Sequence, residues 1–383
     1  MVLPPRKRSK KPGTAPGDVL DTRALNRALL ARQLLLERQP VPVAEAIERL
    51  VGLQAQAPLA PYVGLWARLR DFQPEGLSRL LIERRAVRLA LMRGTVHLVT
   101  ARDARALRPL VQPIFDRDLQ VNSTYARGLV GLDLAALAAE GRALVEARPR
   151  TMAELRSLLG ARRPKRDAAS LAYAVRGLLP LVQVPPRGLW GVGGVPTLTT
   201  AEAWLDRPLA RRPSLGGMVR RYLAAFGPAS VMDVQAWSGL TRLGDAIARI
   251  RPSLRVYRDE RGVELFDLVD APRPDPDTPA APRFLPEYDN LLVSHADRSR
   301  VVADAHRPRL TLDGRQIVGT VLVDGFARGS WKIHRTRGRA VLEVAPFVRW
   351  TAAAAAEVAE EGERLLAFSD GGADTREVRV GVA

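Results

Sequence analysis

The sequence predicts an α+β fold made of tandem winged-helix modules followed by a β-rich C-terminal region. Three observations carry this. A pattern of three helices and a β-hairpin recurs three times, and the chain beyond residue 276 reads as successive β runs closed by one Ala/Glu-rich helix. At 383 residues with 46% hydrophobic content, the chain is also too long for one ordinary core and suits several modules of about 100–150 residues.

Residues 1–17 carry five positive charges, no acid and several Pro and Gly, so they predict a disordered basic arm. The first module spans 18–128. Asp21 or Thr22 caps a helix running to about Arg38, residues 43–54 and 61–71 give the next two, and Pro74 occupies the first position of a fourth. Ala86 to Thr100 holds two apolar runs joined at Arg93-Gly94, which predicts a hairpin.

The second module, 129–210, has helices over 132–147 and 151–160, the latter opened by a Thr151/Glu154 capping box. A basic helix over 164–179 and a strand over 181–184 follow. The glycine-rich turn at 191–194 lacks the strand-loop-helix setting of a dinucleotide site and reads as a wing turn. The third module, 211–275, has helices over 215–226, 230–237 and 241–250 and a hairpin over 254–259 and 263–268. A Pro- and Asp-rich linker at 271–282 leads into the C-terminal domain, 276–383. That domain contains a strand-like Leu291-Leu292-Val293, β runs over 317–323, 331–334 and 340–344, an arginine-rich turn over 335–339 and a closing helix over 352–368.

A net charge of +18 attracts polyanions through counterion release, so nucleic acid is the expected partner. Of the 59 basic residues only five are lysines, and GC-rich coding explains that choice of Arg over Lys without removing the excess charge. No apolar run reaches transmembrane length and the N-terminus lacks a signal-peptide core, so the expectation is a cytoplasmic protein with no membrane partner. The absence of cysteine excludes thiol nucleophiles, Fe–S clusters and cysteine zinc sites, and four scattered histidines offer no metal centre. Neither metal nor cofactor is expected, and the chain is expected to be monomeric.

Gln54 and Gln56 form the most unusual local feature. Within an α-helix, residues two apart point about 200° away from each other and cannot serve one site. Pro58 disfavours helix at Ala57, however, and in extended backbone residues i and i+2 share a face, so two amides can converge. The alternative is that both glutamines merely bond exposed carbonyls or water at a helix end.

Gly52-Leu53-Gln54-Ala55-Gln56, Arg93-Gly94-Thr95-Val96-His97-Leu98-Val99, the run from Phe284 to His295, and Val323-Asp324-Gly325-Phe326 occur in that order. Over roughly residues 20–370 they resemble the bacterial winged-helix DNA glycosylases typified by AlkZ and YcaQ. The resemblance implies a concave DNA-binding scaffold and a monofunctional glycosylase that removes N-alkylated purines such as N7-alkylguanine from duplex DNA. In some members it also implies removal of interstrand crosslinks. It places the catalytic pair at Gln54 and Gln56, since Gln56 fits the Gln-x-Gln branch rather than the Gln-x-Asp branch. A purine alkylated at N7 is already cationic and leaves as a neutral base, so orienting water and stabilising an oxocarbenium-like sugar is the remaining work. An amide can do both, although it cannot accept the proton; Asp289 is the candidate for any missing base character. No lysine neighbours the pair, so lyase chemistry is not expected.

Arg93, His97, His295 and Arg298 are candidates for phosphate or lesion contacts, and Arg335, Arg337 and Arg339 for a groove probe at a hairpin tip. In the plainer reading, His97 is a satisfied half-buried histidine, Asp289 and Asn290 cap a turn, and the arginine turn is solvated. The alternative function is a winged-helix transcriptional regulator without catalytic activity.

Overall fold

A computed structural model describes residues 19–312 and 316–382. The expected basic arm at 1–17 lies outside the described residues. The fold is mixed α+β. Its central feature is a six-stranded sheet in the order Leu53–Gln54, Val96–Thr100, Ala86–Ala90, Leu181–Val184, Thr197–Thr200, Arg150–Thr151, with every pairing antiparallel. The sheet draws strands from two of the expected modules. A separate hairpin, Leu254–Asp259 with Glu264–Leu268, follows the helices Leu215–Phe226, Val231–Ser238 and Gly244–Ile250. The C-terminal sheet combines Arg283–Leu285, Gly319–Val323, Phe326–Thr336, Arg339–Pro346 and Thr375–Val380, with the helix Ala352–Ser369 packed against it.

Local chemistry accounts for most boundaries. Asp21 caps the first helix, accepting from the Ala24 N–H, but that helix stops at Arg32 rather than Arg38 because Leu34 turns into the left-handed region at φ 57°. The second helix stops at Arg49, well short of the expected Gln54. Val51 and Gly52 reverse the chain at φ 53° and 91°, and the Gly52 N–H bonds back to Ile47 O at 2.9 Å. A β-carbon at Gly52 would stand 2.5 Å from Val99 and 2.9 Å from Leu98 O, so only glycine lets the chain leave the helix and join the sheet there.

The capping box at Thr151 and Glu154 is formed. The basic helix begins at Ala168, not 164, because the Asp167 carboxylate accepts from the Ala169 and Ser170 N–H groups. Leu291-Leu292-Val293 is not a strand: the Asp289 carboxylate caps a 3₁₀ turn over Asn290–Leu292. The linker at 271–282 has no helix or strand but is tied down, with Pro272 O accepting from Arg32 and Thr278 O from Arg27. Helices Ala101–Leu107 and Gln112–Val121, and strands Val19–Leu20, Thr197–Thr200 and Thr375–Val380, are additional to the sequence expectation. No helix among the described residues is long and apolar enough to cross a membrane.

Candidate active site

The segment leaving Gly52 is extended. Leu53 and Gln54 pair with Leu98 and His97, and the Ala55 N–H continues the ladder with a 2.8 Å bond to Val96 O. Gln54 lies in this strand and Gln56 just beyond it, where the chain bends. They differ in burial: Gln54 is 7% exposed, whereas Gln56 lies open.

The surroundings decide how both amides are turned. Arg93 Nη2 lies 3.5 Å from Gln54 Oε1, and the Val96 N–H lies 3.5 Å from Gln56 Oε1. Both contacts are at the long limit of a hydrogen bond, but both partners can only donate, so each must face the amide oxygen rather than the NH₂ group. One lone pair of each oxygen and both NH₂ groups remain for other partners.

Arg93 sits at the hairpin turn with left-handed backbone, φ 57°, and points inward. It donates to Trp237 O at 2.6 Å and approaches Asn290 Oδ1 at 3.4 Å, while Asn290 Nδ2 donates to Gly52 O at 3.2 Å. Among the described residues no carboxylate balances this guanidinium. Burial, with the charge of Arg298 adding to it, pushes its pKa down to about 10, so it remains a cation at neutral pH. Gly239 makes room for the turn, since a β-carbon there would meet the Arg93 backbone at 3.0 Å.

Asp289 stands beside this group but is consumed. Its carboxylate accepts two bonds of 2.9 Å from the buried Arg68 guanidinium and one from the Leu291 N–H. The void bounded by Gln54, Asp289, Asn290 and Pro286 is about 10 Å³, too small for a base. A larger cleft of about 610 Å³ begins at Ala57, one residue past Gln56, and is lined by Arg187, Glu287, Trp331 and Lys332 among others.

The remaining candidates do not join the glutamines at the surface. His97 is fully buried, its Nδ1 is 2.9 Å from Thr95 O, and its Nε2 has no partner. Burial, assisted by the Arg93 charge, pushes its pKa down to about 3, so the ring is neutral. His295 is 2% exposed, bonds Phe226 O at 3.0 Å through Nε2, and is likewise pushed down to about 3 by burial and by the Arg300 charge. Arg298 is half-buried with its Nε unpartnered, and its pKa is lowered by burial and by Arg307. At the hairpin tip, Arg335 pairs with Asp370 and Arg339 with Glu377, while Arg337 has no carboxylate partner among the described residues. Sequence reasoning had no signal for Arg68, Trp237 or Arg88, whose roles arise from contacts distant in sequence.

The profile of the family described as DNA glycosylase AlkZ-like matches residues 47–368. An interstrand DNA cross-link repair glycosylase from Streptomyces sahachiroi is 24% identical over 329 residues, covering 79% of this chain and 85% of that protein. The solved structure of Streptomyces sahachiroi DNA glycosylase AlkZ superposes with a TM-score of 0.78 at 20% identity, covering 95% of this chain and all of that one, which fixes the likeness of fold.

Proposed function

The chain belongs to the AlkZ-like DNA glycosylases, and we propose that it hydrolyses the N-glycosidic bond of N7-alkylated purines in duplex DNA, interstrand crosslinks included, with Gln54 and Gln56 as its catalytic pair. The observation that carries this reading is the pair itself: two side-chain amides two residues apart, the first in a strand and the second just past it, each with its oxygen turned toward a donor that cannot accept.

In this reading, the free lone pair of an amide oxygen accepts a hydrogen bond from the attacking water and orients it toward the sugar. The carbonyl dipoles face the positive charge that develops on the sugar as the bond to the base breaks. Neither amide can take the water's proton, and with Asp289 held by Arg68 that proton passes to solvent; neither amide can protonate a departing base, so the site suits one that already carries a positive charge and leaves neutral. Neutral bases should be poor substrates.

We read each unit of three helices and a hairpin as a winged helix, and the excess of 18 positive charges as the means of holding a duplex over a concave face. Arg298 and Arg337 supply phosphate contacts in this arrangement, while the buried His97 and His295 act as structural residues. The family match does not favour a transcriptional regulator. The test is abasic-site formation in a duplex containing N7-methylguanine, comparing wild type with Gln54→Ala and Gln56→Ala. Loss in both variants with folding intact is expected, and equal activity in all three proteins overturns the assignment.

A further inference from the structure

Arg88 lies in the strand Ala86–Ala90, opposite Leu98 on one side and Gln183 on the other. Gln54 lies opposite His97, whose neighbour in the next strand is Leu89. Alternation along the strands places Arg88 on the reverse face of the sheet from Gln54. Arg88 is 2% exposed, and among the described residues no carboxylate pairs with its guanidinium. A cation buried without a counter-ion is costly, so the contacts that remain to it carry weight. Among the described residues its one bond is from Nη2 to the carbonyl of Ala55 at 2.8 Å, the residue between the two glutamines, and Nε and Nη1 have no partner there.

That bond alters the ladder. Residues facing each other as a hydrogen-bonded antiparallel pair exchange two N–H···O bonds. Ala55 and Val96 make the first, from Ala55 N–H to Val96 O. The reciprocal bond is replaced at both ends: Ala55 O is taken by Arg88, and the Val96 N–H faces Gln56 Oε1. Gly188 secures the arrangement from outside, because a β-carbon there would stand 2.3 Å from Arg88 Nη1.

We propose that Arg88 is a positioning residue for Gln56: by holding the Ala55 carbonyl out of the ladder, it frees the Val96 N–H to orient the Gln56 amide. Without the guanidinium, Ala55 and Val96 close their second bond and the Gln56 side chain loses its anchor. The catalytic consequence rests on the glycosylase reading; the structural step does not.

Two measurements test the two parts separately. The first is the side-chain amide signal of Gln56 in ¹⁵N-labelled full-length protein, assigned by its disappearance in Gln56→Ala. It shifts in Arg88→Ala and in Gly188→Ala, which displaces the guanidinium without deleting it, and unchanged signals in folded variants overturn the proposal whether or not the protein is a glycosylase. The second is single-turnover base release from an N7-methylguanine duplex. Arg88→Ala slows it by about 10²-fold with duplex affinity unchanged, as expected for a misplaced catalytic group. Added guanidinium restores part of the rate, and Arg88→Ala in a Gln56→Ala background causes no further loss. An equal loss in both backgrounds would show Arg88 to be merely structural. Absence of base release from the wild type would remove the glycosylase reading and leave the amide signal to decide the structural step. If Arg88→Ala does not fold, Arg88→Lys and Gly188→Ala carry both measurements.

Discussion

Replacing Arg93 by Met should separate stability from catalysis. The substitution roughly preserves volume and removes a buried cation. It loses the 2.6 Å bond to Trp237 O, a charge-assisted bond contributing about 1.5–3 kcal/mol, and it leaves that carbonyl unpaired. Against this, it relieves the desolvation of a guanidinium with no carboxylate partner, a cost of several kcal/mol. The two terms oppose each other at similar size, so the change in unfolding free energy should lie within about 2 kcal/mol of zero. Catalysis has no such compensation. Gln54 Oε1 and Asn290 Oδ1 both lose their donor, and the Gln54 amide becomes free to flip. If the ordering contributes about 1.4–2.8 kcal/mol, base release falls about 10- to 100-fold. Chemical denaturation gives the first quantity and single-turnover release of N7-methylguanine the second. A variant that loses several kcal/mol of stability yet releases base at the wild-type rate would refute the reasoning, since Arg93 would then be structural only. Arg93→Lys should lose base release to a similar degree, because an ammonium cannot span three acceptors as a planar guanidinium does, but it keeps a buried charge and so gains no relief of desolvation.

Acid stability offers an independent check on the buried histidines. His97 is held neutral with its pKa pushed down to about 3, while an unfolded histidine takes up its proton near 6.5. Between those values the unfolded state binds more protons, so stability rises with pH and is lost as pH falls through this window, by at most about 1.4 kcal/mol per pH unit. His97→Gln should flatten that slope in denaturant titrations, and an unchanged slope would contradict the burial. Asp289→Asn breaks a buried bidentate pair with Arg68 and should cost about 3–5 kcal/mol in unfolding free energy; lost base release at unaltered stability would instead make Asp289 a catalytic base. At the hairpin tip, Arg337→Ala should reduce the slope of log affinity against log salt by about 0.9, the contribution of one phosphate contact. Arg335→Ala, which removes a residue already paired with Asp370, should change it less, and equal effects would show that the pair opens on DNA.

Pro58 predicted extended backbone at the glutamines, but the device that ends the helix and puts Gln54 in a strand was not legible. Pro58 says where helix cannot continue; the helix had already ended at Arg49, where Gly52 escapes a clash with a strand more than forty residues away. The turn at Arg93-Gly94 was marked by its glycine, whereas the inward direction of Arg93 depends on the Trp237 carbonyl from a different helix. Leu291-Leu292-Val293 misled because three apolar residues carry a β preference, and the Asp289 carboxylate overrides it by capping a 3₁₀ turn. Arg88 had no signal at all. A charged residue in an alternating strand normally marks a solvent face, and here it marks the buried reverse side of the site.

By itself the sequence determined the features that depend on neighbours in the chain: the caps at Asp21 and Thr151, the hairpin Ala86–Ala90 with Val96–Thr100, the net charge that calls for a polyanion, and the spacing of two amides two residues apart. Only the tertiary structure decided how those amides are turned. Their orientation depends on the Val96 N–H and on the guanidinium of Arg93, with Arg88 acting on the peptide between them. These groups reach the glutamines across a sheet and a turn, and residue spacing carries no record of which donor will face which oxygen.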